Sequence, residues 1–295
     1  MQGGTEMTDM SEEGLNFSLV REKLDDLYQA VHNKLEREWP DTLDSTGALP
    51  VLLRGFVLVS ANTYHSVRYL CADRPPDASR RPEFAISVPP LARTLVDTLF
   101  NIVFLFANPG AHIRWYWRSS WREYREDLDR YKESYGSDPR WSEWIANLEQ
   151  TIEEFREPWF VEAEVGTNDV SYWPHPGQML KASGLSRERQ QFLRYLNDWF
   201  YKDLSRSSHH SGPGLIVRAF TLFKYPENPH RNENLVHLKG SSVFTVITLF
   251  LAILSEIEGE LRFGLAPRME YLWGLLKAYS EEALDLYEKR YHALL

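Results

Sequence analysis

Two segments of this chain are too apolar for the surface of a folded protein and too short to cross a bilayer. Leu95–Ala107 carries only Asp97, Thr98 and Asn101 among its apolar residues, and Val243–Leu254 is interrupted only by threonines. A membrane span needs roughly 18 or more apolar residues. Both segments are therefore read as central helices of a buried core, with no membrane partner, and the rest of the chain has to cover them.

The rest reads as amphipathic helix. Val20, Leu24, Leu27, Val31 and Leu35 keep a three-and-four spacing until Trp39-Pro40 ends it. A second helix is expected from Pro50 to about Cys71, a third from Pro89-Pro90 to Asn108-Pro109-Gly110, a fourth over Ala111–Tyr135 and a fifth over Pro139–Phe155. Residues 158–184 lose the helical period. A sixth helix runs from Ser186, placed as an N-cap, to His210, and a short seventh covers Leu215–Phe223. Lys224–Lys239 reads as an irregular loop, followed by long helices near Ser241–Phe263 and Pro267–Ala293. No alternating strand pattern and no fixed repeat is present. The expectation is an all-α fold, a single multi-helix bundle of eight to ten helices over residues 14–295, behind a disordered N-terminus at 1–13.

The net charge of -9, from 42 acidic and 33 basic residues, argues against a non-specific nucleic-acid binder, whose affinity rests on neutralising phosphates. The single cysteine, Cys71, excludes an intrachain disulfide and sits in an apolar-periodic stretch, as a buried structural thiol would. Residues 1–13 are small, polar and acidic and lack the basic start and apolar run of a secretory signal. The chain is read as cytoplasmic.

Chemistry concentrates at two places. In the third helix, Arg93 and Asp97 stand four residues apart within a very apolar run, where charges require partners. In the sixth, Tyr201, Ser205 and His209 recur every fourth residue and stack on one helical face, which stops at Gly212-Pro213-Gly214. Read structurally, these five side chains are a polar network that fixes helix register. Read functionally, Asp97 orients His209, which serves as general acid or base, and Tyr201 or Arg93 binds an anion. Ser205 as a nucleophile lacks a strand-to-helix elbow or an oxyanion loop.

Two further patterns are weaker. His230, Glu233 and His237 would reach a metal only on a helix, and no tight ligand spacing supports one, so neither metal nor cofactor is assigned. Arg114, Arg118 and Arg122 form a basic stripe beside Trp117 and Trp121 that could stack on single-stranded nucleic acid. Glu123, Glu126 and Asp127 follow within a turn, which favours a solvated face with local ion pairs.

Arg231-Asn-Glu-Asn-Leu-Val-His237 resembles the ribonuclease motif of the higher eukaryote and prokaryote nucleotide-binding helical domains, in which Arg and His cleave RNA without metal. A second resemblance rests on three features in order: Pro90-Leu-Ala-Arg93-Thr-Leu-Val-Asp97, then Tyr172-Trp173-Pro174 leading to Met179–Leu185, then Tyr201-x(2)-Leu204-Ser205-x(3)-His209. Over about residues 50–255 the chain resembles a bacterial all-helical family of unknown function, whose members carry Arg-x(3)-Glu and Tyr-x(2)-Leu-Ser-x(3)-His. Here Asp97 stands where the family has Glu, which shortens the carboxylate's reach, and His210 where it often has proline. The resemblance implies an all-α cytoplasmic protein with no settled activity, and through loosely similar proteins a link to phage defence. The functional expectation is a helical binding or regulatory protein with an unassigned ligand or protein partner, self-associating as a homodimer. The alternative is a metal-independent ribonuclease acting on RNA.

Overall fold

The computed structural model describes residues 16–37, 48–71, 87–156, 167–208 and 231–295. Among them there are ten helical elements and no strand, so the fold is an all-α multi-helix bundle. They are α1 (Phe17–Arg37), α2 (Ala48–Leu70), α3 (Val88–Leu105), α4 (Pro109–Tyr135), α5 (Pro139–Arg156) and α6 (Pro176–Met179). Next, α7 runs as Arg187–Leu196, a π-helical turn at Asn197–Tyr201, and Lys202–Ser208. The chain closes with α8 (Arg231–Leu261), α9 (Ala266–Lys277) and α10, which is Glu281–Leu286, a π turn at Tyr287–Tyr291, and His292–Leu294.

Two compact units divide the chain. Unit 1 comprises residues up to Trp39, Leu53–Leu99 and Asp198–Leu295; unit 2 comprises Pro40–Leu52 and Phe100–Asn197.

Unit 1 is built around α8. Every residue from Val246 to Gly259 is buried, so this stretch of the helix, almost wholly apolar as far as Leu254, meets protein on all sides. Val20, Leu24, Leu27, Val31 and Leu35 form the buried stripe of α1, which packs on α8 and α9. Burial of such side chains contributes about 1.5–3 kcal/mol each before chain entropy is counted. Tyr64 of α2 stacks on Phe250, with ring centroids 5.1 Å apart. Trp273 stacks on Tyr291, also at 5.1 Å, while its indole N–H donates to Ser255 Oγ at 3.0 Å.

The α8–α9 corner is closed by one carboxylate. Glu258, itself buried, accepts N–H bonds from Phe263, Gly264, Leu265 and Ala266 at 2.9–3.2 Å. The donors of the first turn of α9, which lack partners within their own helix, are thereby served from the end of α8. The turn requires positive φ at Arg262 and Gly264, 56° and 82°. A Cβ at Gly259 would run into the Leu294 side chain, so α10 reaches its seat on α8 only because that position has none.

Unit 2 is organised by the antiparallel pair α4 and α5. Trp121, Leu128, Ile145, Ile152 and Val170 form its buried cluster, with Leu148 packed against it. Lys132–Glu149 at 2.6 Å and Arg125–Glu153 at 3.0 Å tie the two helices along the rim. His112 lies nearly parallel to Phe104, 4.4 Å between centroids, and its Nδ1 is 2.7 Å from the Phe104 carbonyl. Burial pulls the imidazole below its ordinary value, opposed by that backbone bond.

Several expectations need correction. Residues 231–239, expected as loop, are the first turns of α8. After Pro229 no proline interrupts the run, and Gly240 costs only about 1 kcal/mol in a helix. The expected single helix over Pro267–Ala293 is divided at Ala278–Ser280, where backbone bonds from Tyr279 and Ser280 to Leu276 end α9. The sixth expected helix carries a π turn that apolar spacing does not signal. Its proposed cap does form, Ser186 Oγ accepting from Arg189 N at 3.2 Å. The expected helix at Leu215–Phe223 lies outside the described residues. Both apolar helices, α3 and α8, are long and apolar enough to cross a membrane, and most of each is buried inside the protein.

Candidate functional site

Three of the five side chains singled out in the sequence meet in unit 1. α3 enters through Pro89 and Pro90, whose missing N–H groups fall in the first turn, where no intrahelical acceptor is needed. One turn further, Arg93 and Asp97 lie on one face with Nε and Oδ2 3.6 Å apart. Arg93 Nη2 donates to Tyr201 Oη at 3.0 Å, and the guanidinium carbon stands 5.0 Å from the centre of the Tyr201 ring. One arginine thus engages a carboxylate, a phenol oxygen and an aromatic face. Thr94 and Thr98 of the same helix donate back to the carbonyls of Pro90 and Thr94 and need no outside partner.

The cluster is half-open. The Arg93 and Asp97 side chains are 24% and 40% exposed. Burial raises the Asp97 carboxyl above its ordinary value, with Arg93 pulling the other way. Ser205 is half-buried one turn beyond Tyr201 on α7. His209 and His210 lie outside the described residues. Among those described, no group of three His, Cys, Asp or Glu could hold a metal. Glu233 and His237 fall on α8, as the metal reading required, and His230 lies outside the described residues. The Arg231–His237 string is helical, which sets its ends six residues apart on α8.

The basic stripe on α4 forms an expected local ion pair and more besides. Trp121, one of the two rings in the stacking reading, belongs to the core of unit 2, while Trp117 is half-buried. Arg122 does pair with Glu126 at 2.7 Å, and it also donates to the Val170 carbonyl at 2.5 Å while lying 3.9 Å from the Tyr172 ring centre. It belongs to a row that sequence reasoning missed. Trp115 donates to the Ser171 carbonyl at 3.0 Å, Ser119 accepts from the Trp173 amide at 2.5 Å, and Glu126 accepts from the Tyr172 hydroxyl at 2.5 Å. Residues 115, 119, 122 and 126 share one helical face, so residues 170–173 are fastened along three turns of α4. The hydrogen bond from Tyr172, then that from Arg122, holds the Glu126 carboxyl below its usual range. The four-three-four spacing was available in the sequence; the acceptors were not, because two of them are main-chain carbonyls.

A second polar centre in unit 1 also escaped notice. Arg290 of α10 binds both Glu256 oxygens, Nε at 3.0 Å, and reaches Glu260 at 3.4 Å. Their exposure is 8% for Arg290 and 0% for Glu256. Burial works against the Arg290 charge, and Glu256 more than offsets it, holding the guanidinium above its ordinary value. Burial, seconded by Glu256, likewise pushes the adjacent Tyr291 phenol well above its own.

No protein-family model matches this chain, and neither a curated protein nor a solved structure is similar to it.

Proposed function

We propose that this protein is a helical binding or regulatory protein and that the Arg93–Asp97–Tyr201 cluster is its polar recognition point, without a chemical step there. The carrying observation is the engagement of Arg93 on three sides, by Asp97, the Tyr201 hydroxyl and the Tyr201 ring. An arginine that must hold a scissile phosphate throughout a reaction needs its forked donors directed at the substrate. Here Nη2 is given to Tyr201 and Nε stands beside Asp97, and a partner group would read the composite edge of guanidinium, carboxylate and phenol. The partial exposure of Arg93 and Asp97 supports a surface that can be contacted, in contrast to the sealed Arg290–Glu256 pair.

The deciding experiment measures RNA degradation in the presence of chelator for the unaltered protein, Arg93→Ala, Tyr201→Phe and His209→Ala, each beside its melting temperature. No chelator-resistant cleavage by any of them is expected. A cleavage present in the parent and lost in Arg93→Ala or His209→Ala at unchanged melting temperature would replace this reading with the ribonuclease one.

A further inference from the structure

Four aromatic rings stand together where α4 turns into α5 in unit 2. Tyr131 and Tyr135 are one turn apart on α4, and Trp141 and Trp144 one turn apart on α5. They meet in an unbroken row: Tyr131 to Trp144 at 5.1 Å between centroids, Trp144 to Trp141 at 6.0 Å, and Trp141 to Tyr135 at 5.4 Å. We propose that this row is a docking surface for an arginine-bearing segment of a partner protein.

The row is not core. Tyr135, Trp141 and Trp144 are 41–45% exposed and Tyr131 is half-buried, and none of the four belongs to the buried cluster of this helix pair. Single exposed rings are ordinary on a protein surface, whereas a contiguous group of them marks a contact site. Among the described residues, neither the two phenol groups nor the two indole N–H groups of the row have a hydrogen-bond partner. Rings with an apolar body and an uncommitted polar end suit an interface. Their contacts with one another hold them in place, which spares part of the ordering cost of binding.

Charge then selects the occupant. From Asp127 to Glu149 the chain has six acidic and three basic residues. All three basic side chains are already paired, Arg130 with Asp127, Lys132 with Glu149 and Arg140 with Asp138. Glu133 and Glu143 are exposed, and their carboxylates have neither an ion pair nor a hydrogen bond among the described residues. This field repels nucleic acid and anionic lipid headgroups and draws in a cation. A planar guanidinium stacks on Tyr and Trp rings and is also a donor to carboxylates. Indole N–H groups only donate, and the main-chain carbonyls beside an arginine accept from them, which a free ammonium compound cannot do. The surface lies in unit 2 and is independent of the reading given to the Arg93 cluster.

The test is fluorescence anisotropy of a labelled Gly-Arg repeat peptide titrated with the full chain, beside the same peptide carrying lysine, trimethyllysine or citrulline in place of arginine. Saturable one-to-one binding of the arginine peptide is expected, weaker for lysine and trimethyllysine and lost with citrulline, which keeps the shape without the charge. Trp141→Leu and Trp144→Leu stay apolar but lose the aromatic face, and each should weaken binding about fivefold, the scale of one cation–π contact. Glu143→Gln should weaken it about twofold. Glu281→Gln, which removes one exposed charge from α10, should leave it unchanged and so separates the surface from the general pull of a chain of net charge -9. Tyr135→Leu, at the end of the row, stands in should a tryptophan variant not fold, with about a twofold loss expected. Absence of saturable binding up to about 1 mM, a range covering weak complexes, overturns the proposal. So does undiminished affinity in the ring variants, or an equal affinity for the citrulline or trimethyllysine peptide. Self-association of the chain that Trp144→Leu abolishes would give the row to a second copy and overturn it as well.

Discussion

Unit 1 builds an arginine–acid–tyrosine cluster twice, and the two copies differ in exposure more than in chemistry. Around Arg290, Glu256 and Tyr291 are sealed among α8 and α10, with Glu256 at 0% exposure. Around Arg93, the partners are Asp97 and Tyr201, and the acid is 40% exposed. A buried ion pair deprived of one partner leaves a charge with neither water nor a counter-ion, whereas a half-exposed one is relieved by solvent. The first cluster is framework, and the second is the one we propose as a recognition point.

Substitutions can break this contrast. Arg290→Met should cost about 3–5 kcal/mol, the price of stranding Glu256, read by denaturant unfolding; adding Glu256→Leu should recover most of it. Next comes Glu258→Gln, which keeps the shape but puts an NH₂ against backbone donors. A loss of about 2–3 kcal/mol is expected there, the scale of hydrogen bonds to a charged group. Tyr201→Phe removes one acceptor from Arg93 and should cost about 1 kcal/mol. If it cost as much as Arg290→Met, the two clusters would be equally structural and the distinction between them would fail.

Asp97→Asn should have the smallest effect, within about 1 kcal/mol, and its sign depends on pH. Because the folded protein raises the Asp97 carboxyl, it binds the proton more readily than the unfolded chain does. The stability attributable to Asp97 is then greatest below the unfolded carboxyl value and falls as pH rises through the folded one. Relative to the asparagine variant, the parent should lose ground across that acidic window. Parallel melting curves of the two proteins between acidic and neutral pH would contradict it.

The architecture was legible because periodicity carries it: all five buried residues of α1 stood out by spacing. So did Arg93 and Asp97, as charges in an apolar run, and Tyr201 through its four-residue rhythm. Arg290 and Glu256 were not legible, since in sequence Arg290 follows Glu288 and Lys289 and Glu256 is near Glu258 and Glu260, a charged composition that reads as a solvent-facing helix end. Their partnership is 34 residues apart. The π turns at Asn197–Tyr201 and Tyr287–Tyr291 were equally silent, because one extra residue in a turn leaves the composition unchanged.

The Glu258 corner has a consequence in time as well as in space. Its four bonds join residues five to eight apart, whereas Arg290 meets Glu256 across 34. Short closures lose less chain entropy than long ones, and local contacts speed folding. The corner therefore assembles ahead of the pair it leads to, turning the chain back before α10 arrives to lock it. Pulse-labelled hydrogen exchange should find the Phe263 and Leu265 amides protected before the backbone of Tyr287–Tyr291.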